Sequence, residues 1–136
     1  MQKLFTAAIK HFDSDGKKVK SKLMTLAINY TDAEAKFTEF TAANYECGEV
    51  GKILMTNISE VHGYKQYEPG DIGVFWYKCK VQIPITAENG KEKNVSTYLA
   101  IQAETVESAT DKCNVLFEDT PAVVLSTTNM KIDCYI

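Results

Sequence analysis

The feature that most constrains this chain is an internal echo. Leu26-Ala27-Ile28 returns as Leu99-Ala100-Ile101, 73 residues on, and each copy runs toward a Thr-plus-acid helix start. Asp15-Gly16-Lys17 returns as Asn89-Gly90-Lys91 at an offset of 74, and Thr56-Asn57-Ile58 returns as Thr128-Asn129-Met130 at 72. Three matches in one order at nearly one spacing point to a duplicated supersecondary unit. They place repeat one at about residues 3–61, a linker at 62–73 and repeat two at about 74–136.

Each copy reads as ββαβ. Residues 3–12 alternate, with Phe5, Ala7 and Ile9 on one face, the period of a half-buried strand. Asp15-Gly16 supplies hairpin-turn chemistry, and a returning strand over 18–30 sets Met24, Leu26, Ile28 and Tyr30 on one face. Thr31-Asp32-Ala33-Glu34 fits a capping box, opening a helix whose stripe is Ala33, Phe37 and Phe40 and which ends before Cys47-Gly48. A third strand is predicted at 52–61. In the second copy the strands are predicted at 74–84 and 93–103, the helix at 105–117 and a closing strand at 122–135. Val106, Ala109, Cys113 and Leu116 form that helix's stripe, and Pro121 blocks its continuation. The fold class expected is therefore α+β: one domain of two tandem ββαβ repeats, mainly antiparallel sheet with helices on one face.

Ordinary globular composition, with 45% hydrophobic and 24% charged residues, argues against disorder or a disulfide scaffold. No run of about 18 apolar residues is present to span a bilayer, so the reading is a cytoplasmic protein with no membrane association. Cys47, Cys79, Cys113 and Cys134 are widely spaced, with no CxxC pair and no histidine at ligand spacing. They read as reduced thiols, with no metal and no cofactor. His11 and His62 sit in no nucleophile or metal motif, and no phosphate loop is present. Enzymatic function is not expected.

Charge is uneven. Residues 1–22 carry six Lys against two Asp, whereas residues 31–72 carry three Lys against eight acids. All fifteen cationic side chains are Lys. Without Arg there is no planar fork for bidentate reading of guanine, which argues against sequence-specific duplex recognition.

One strand stands out. In Phe75-Trp76-Tyr77-Lys78-Cys79-Lys80-Val81, Trp76, Lys78 and Lys80 share one face and the other four residues share the opposite one. An aromatic and basic face of this kind stacks bases and attracts phosphates in single-strand binders. The competing reading is that Trp76 packs under the linker or across a dimer interface and the lysines are merely solvated. Lys17, Lys18, Lys20 and Lys22 crowd the first hairpin, and Lys91 and Lys93 the second. They read either as a phosphate-attracting surface or as protection of a strand edge. Tyr64 and Tyr67 in the linker are candidates for a lid over a small-ligand pocket, or are plain anchors of a connection.

The strand from Phe75 to Val81, the turn Asn89-Gly90-Lys91-Glu92-Lys93, and Tyr98-Leu99-Ala100-Ile101-Gln102-Ala103 leading to Glu107-Ser108-Ala109 resemble an uncharacterised family of small duplicated proteins. That family occurs in Bacteroides, related bacteria and their phages. Leu26-Ala27-Ile28 and Thr31-Asp32-Ala33-Glu34-Ala35 fit the same pattern, although Asn29-Tyr30 stands where an acid-Ala pair is usual. The resemblance implies a duplicated fold and a phage or prophage setting, and it brings no catalytic residues. Two functions are expected from this. The first is a homodimeric accessory protein binding single-stranded nucleic acid. The alternative is a host-interaction or anti-defence factor that sequesters a small nucleotide-like ligand or blocks a host protein.

Overall fold

The computed structural model describes residues 1–65 and 74–136. In chain order the elements are β1 (Lys3–Phe12), β2 (Lys18–Ala27), α1 (Tyr30–Asn44), β3 (Glu46–Met55), β4 (Glu60–His62), β5 (Phe75–Thr86), β6 (Glu92–Ala103), α2 (Val106–Leu116), β7 (Val123–Asn129) and β8 (Cys134–Tyr135). The protein is mixed α+β, mostly strand, with sheets rich in antiparallel pairs. These elements fall into two compact units. Among the described residues no helix is long and apolar enough to cross a membrane.

The first unit holds a sheet of order β3-β1-β2-β8, in which β8 runs parallel to β2 with Leu23 opposite Cys134. Its hairpin turn is stapled by Asp13, whose carboxylate accepts from the amides of Asp15 and Lys17, and Gly16 supplies φ +74°. α1 lays Ala33 and Phe37 onto Phe5, Ala7, Ile9, Leu23 and Ala27, the core that the alternation of β1 foretold. The second unit holds a sheet of order β4-β6-β5-β7, with β4 parallel to β6 and Gly90 at φ +79° in the hairpin turn. α2 sets Ala109 and Cys113 on Tyr77, Cys79, Val81, Leu99 and Ile101.

Several boundaries differ from the sequence reading. α1 is capped by Asn29, not Thr31: Asn29 Oδ1 accepts from the Asp32 amide at 2.9 Å, and the Asp32 carboxylate accepts from the Ile28 amide at 3.0 Å. Asn-x-x-Asp is a box two residues upstream of the Thr-x-x-Glu one, and because β2 ends at Ala27 the earlier box closes the helix. The third strand is at 46–55 rather than 52–61. It starts directly after the cap Tyr45, through a left-handed Cys47 (φ +52°) and Gly48, and keeps pairing with β1 across two bulges. The predicted closing strand is split into β7 and β8. The echo at Leu26-Ala27-Ile28 is also displaced. Ala27 is the last residue of β2 and Ala103 the last of β6, so Leu99-Ala100-Ile101 lies three residues upstream of the place its match occupies. Of the predicted stripes, Phe40 is only half-buried while Thr41 takes a buried place, and Val106 and Leu116 stand 41% and 46% exposed.

Candidate functional site

The antiparallel register of β1 and β2 converts a run of lysines into a patch. Lys10 lies directly opposite Lys20, Phe12 opposite Lys18, and Ala8 opposite Lys22. Because Phe5, Ala7 and Ile9 turn to the helix, these residues share the other face of the hairpin. Lys10, Lys18, Lys20 and Lys22 are all exposed, Phe12 is 41% exposed beside them, and Lys17 is exposed in the turn. Lys10 has Lys20 across it on β2 and Glu49 across it on β3, so the excess positive charge lies on the β2 side of the patch, where like charges across a strand pair are relieved by an anion. Sequence reading found the lysines of β2 but missed Lys10 and Phe12. The alternation that puts Ile9 inside also puts both of them out.

Trp76 does not belong to such a surface. Its face is as the alternation predicted, opposite Tyr77, Cys79 and Val81, yet its side chain is 0% exposed. Gly63, just past β4, passes so close that a Cβ there would lie 2.6 Å from Trp76 Cη2 and 2.6 Å from Gln102 Cβ. As folded, the indole offers no ring face to a base. Of the two readings of Trp76, packing beneath the segment that opens the linker is the one observed. Lys78 and Lys80 share that face half-buried, and Lys78 Nζ sits 4.5 Å from the centroid of the Tyr98 ring. The second hairpin is no copy of the lysine patch. Lys93 pairs with Ile85, which puts it on the α2 side of the sheet, away from Lys78 and Lys80, and Lys91 lies in the turn.

A family model for a domain of unknown function, DUF4494, matches residues 4–131. The chain belongs to the DUF4494 family. No curated protein matches it. The DUF4494 span contains the lysine hairpin, Trp76 and both helices, and it stops before β8.

The other candidates in this DUF4494 chain are quieter. Tyr64 is 85% exposed, and Tyr67 lies outside the described residues. His11 stacks on Tyr45 with centroids 4.2 Å apart and shares a 2.8 Å hydrogen bond with Ser21. His62 meets Glu60 at 3.0 Å. Cys79, Cys113 and Cys134 are buried, and burial raises the pKa of each thiol, that of Cys113 to about 12. Such thiols stay protonated and unreactive at neutral pH. Cys47 is exposed.

Proposed function

We propose that this protein is a non-enzymatic binding protein that engages single-stranded nucleic acid through the lysine face of the β1–β2 hairpin. The phage or prophage setting implied by its sequence resemblance fits that role. The observation that carries the reading is the direct Lys10–Lys20 opposition, flanked by Lys18, Lys22 and an exposed Phe12. Lysine point charges suit a phosphate backbone without base specificity, and a single exposed ring beside them suits stacking.

Salt dependence tests it. Four phosphate contacts on a single strand predict a slope of log K against log salt of about −2.8, or about 50-fold weaker binding from 50 to 200 mM salt. A labelled oligothymidylate followed by fluorescence polarisation reads both. The Lys10→Gln/Lys20→Gln double variant is expected to halve the slope. Absence of binding at micromolar protein in 50 mM salt, or a slope the double variant leaves unchanged, sinks the proposal. Sedimentation of the same samples reads whether the protein acts as a homodimer.

The scaffold beneath the patch we infer to be two tandem copies of one ββαβ unit. Matching bonds support it. Asp13 N donates to Lys17 O and Ala87 N to Lys91 O, Thr56 N to Leu4 O and Met130 N to Trp76 O. Lys36 Nζ donates to Leu26 O and Lys112 Nζ to Gln102 O, each from a helix to the strand before it.

A further inference from the structure

The edge of a β-sheet presents unpaired N–H and C=O groups, and proteins blunt such edges with charge, shortness or bulges. Among the described residues, three of the four sheet edges follow that rule. β3 carries Glu46, Glu49 and Lys52 and two register shifts. β8 is two residues long, and the edge of β2 beyond it is lined by Lys18 and Lys20. β4 is three residues long and holds Glu60, and the edge of β6 that it leaves open begins with Glu92-Lys93.

β7 departs from it. Val123-Val124-Leu125-Ser126-Thr127-Thr128-Asn129 is the outermost strand beside β5, and it has no charged residue and no proline. Four of its seven residues are β-branched, which suits them to a strand. Val123 is 56% and Leu125 48% exposed, so neither is taken up by the core. Met130 N donates to Trp76 O, and the alternation of an antiparallel ladder then turns the backbone groups of Thr127 and Asn129 away from β5, toward the open edge. One register shift falls at Leu125, and from Ser126 to Asn129 the pairing with β5 is unbroken. A strand of this kind is a template for another strand.

Charge at its two ends decides which. Glu118 and Asp119 lie in the turn before β7 and Lys131 lies just after it; all three are exposed and make no ion pair among the described residues. We propose that β7 pairs antiparallel with β7 of a second copy of this chain, joining two four-stranded sheets into one of eight strands. Antiparallel pairing brings Lys131 of each copy toward Glu118 and Asp119 of the other, whereas parallel pairing would set like charges together. The contact is isologous, so it closes at two copies. It is also narrow, one seven-residue strand a side against the roughly 20 to 30 residues of a standard interface, which points to a dissociation constant of about 10 to 100 µM. The lysine hairpin belongs to the first unit and β7 to the second, so this pairing stands or falls apart from the nucleic-acid reading.

Sedimentation equilibrium of the full chain from about 2 to 500 µM, without oligonucleotide, tests this across the expected range. A reversible monomer–dimer equilibrium is expected, and the Thr127 and Asn129 amides should exchange with solvent more slowly as protein concentration rises. Leu125→Lys, which adds the missing edge charge at an exposed position, should weaken the dimer at least about tenfold with little change in melting temperature. Leu54→Lys, at a position 49% exposed on β3, should leave it unchanged. Lys131→Glu alone and Glu118→Lys/Asp119→Lys alone should each weaken the dimer, and the three substitutions together should restore it. A chain that stays monomeric at about 500 µM overturns the proposal and leaves the edge to a different protein. So do equal losses in Leu125→Lys and Leu54→Lys, a combined swap that restores nothing, or masses that grow past the dimer, which would mean open-ended association.

Discussion

Replacing Thr41 by valine should make the protein more stable, which few substitutions at a buried polar residue do. Valine keeps the branched shape, including the methyl group that meets Gly48, and it differs little from threonine in helix propensity. What changes is the hydroxyl, 97% buried with its residue and without a partner among the described residues. Stranding such a group costs about 1 to 3 kcal/mol, of which local relaxation recovers a part, so a gain of about 1 to 2 kcal/mol is expected. With about 2.1 cal/mol/K of unfolding entropy per residue over 136 residues, each kcal/mol moves the melting temperature by about 3 to 4 °C. The shift should therefore be about +3 to +8 °C if the chain melts cooperatively, and larger if the first unit melts alone. Calorimetry and guanidinium titration read it, with an unchanged m-value showing that only stability moved. Thr38→Val, exposed on the same helix, should shift by less than about 0.5 kcal/mol. A destabilised Thr41→Val, or equal shifts for the two variants, would show that the hydroxyl is satisfied in solution.

Trp76→Ala should cost about 3 to 5 kcal/mol of stability while leaving oligonucleotide affinity per folded molecule intact; a stable variant with lost affinity would put the indole back at the interface. Titration with a thiol reagent at pH 8 should modify one cysteine of the native protein, Cys47, within seconds to minutes, and the other three only on denaturation. A second fast thiol would contradict the burial of Cys79, Cys113 and Cys134. Asp32 has its carboxyl pKa lowered, first by the Ile28 amide and then by Lys36 3.5 Å away. Its contribution is thus complete above its unfolded value near 3.8 and is lost as pH falls through the lower folded one. Asp32→Asn should accordingly narrow its stability deficit between pH 6 and pH 3, as read by urea titration, and a deficit that is constant or grows on acidification would refute the assignment.

The fold was legible where period and turn chemistry coincide. Phe5, Ala7 and Ile9 announce β1, Asp15-Gly16 and Asn89-Gly90 announce both hairpins, and Ala109 with Cys113 places α2, because each pattern is local and each residue lies where its period sends it. β3 was misplaced because Glu46-Cys47-Gly48-Glu49 has little intrinsic preference for a strand. It becomes one only through the ladder with β1, a long-range effect with no local trace. The candidate site was half legible for the same reason. Lys18, Lys20 and Lys22 show in one strand, but their meeting with Lys10 depends on the register of two. Trp76 misled because alternation tells which face a side chain takes and says nothing of what lies over that face.

β8 and β4 show the same limit in its strongest form. A strand of two residues and one of three have no period to read, yet each completes a four-stranded sheet. In the first unit Asp133 N donates to Lys22 O at 2.8 Å, the Asp133 carboxylate accepts from the Lys22 amide at 2.7 Å, and Thr25 Oγ1 donates to Ile136 O at 3.0 Å. Cys134, Tyr135 and Ile136 are buried to at least nine-tenths. In the second, Ser59 N donates to Tyr98 O at 2.8 Å and leads into β4. Each sheet is therefore closed by a strand drawn from the half of the chain that builds the other sheet. If the two ββαβ segments arose as copies, the copied segment and the structural unit are not the same stretch of sequence. A repeat boundary read from offsets near residue 62 accordingly falls at a crossing of the chain between units, and the residues that finish each core stand more than a hundred positions from their partners in one case and about forty in the other.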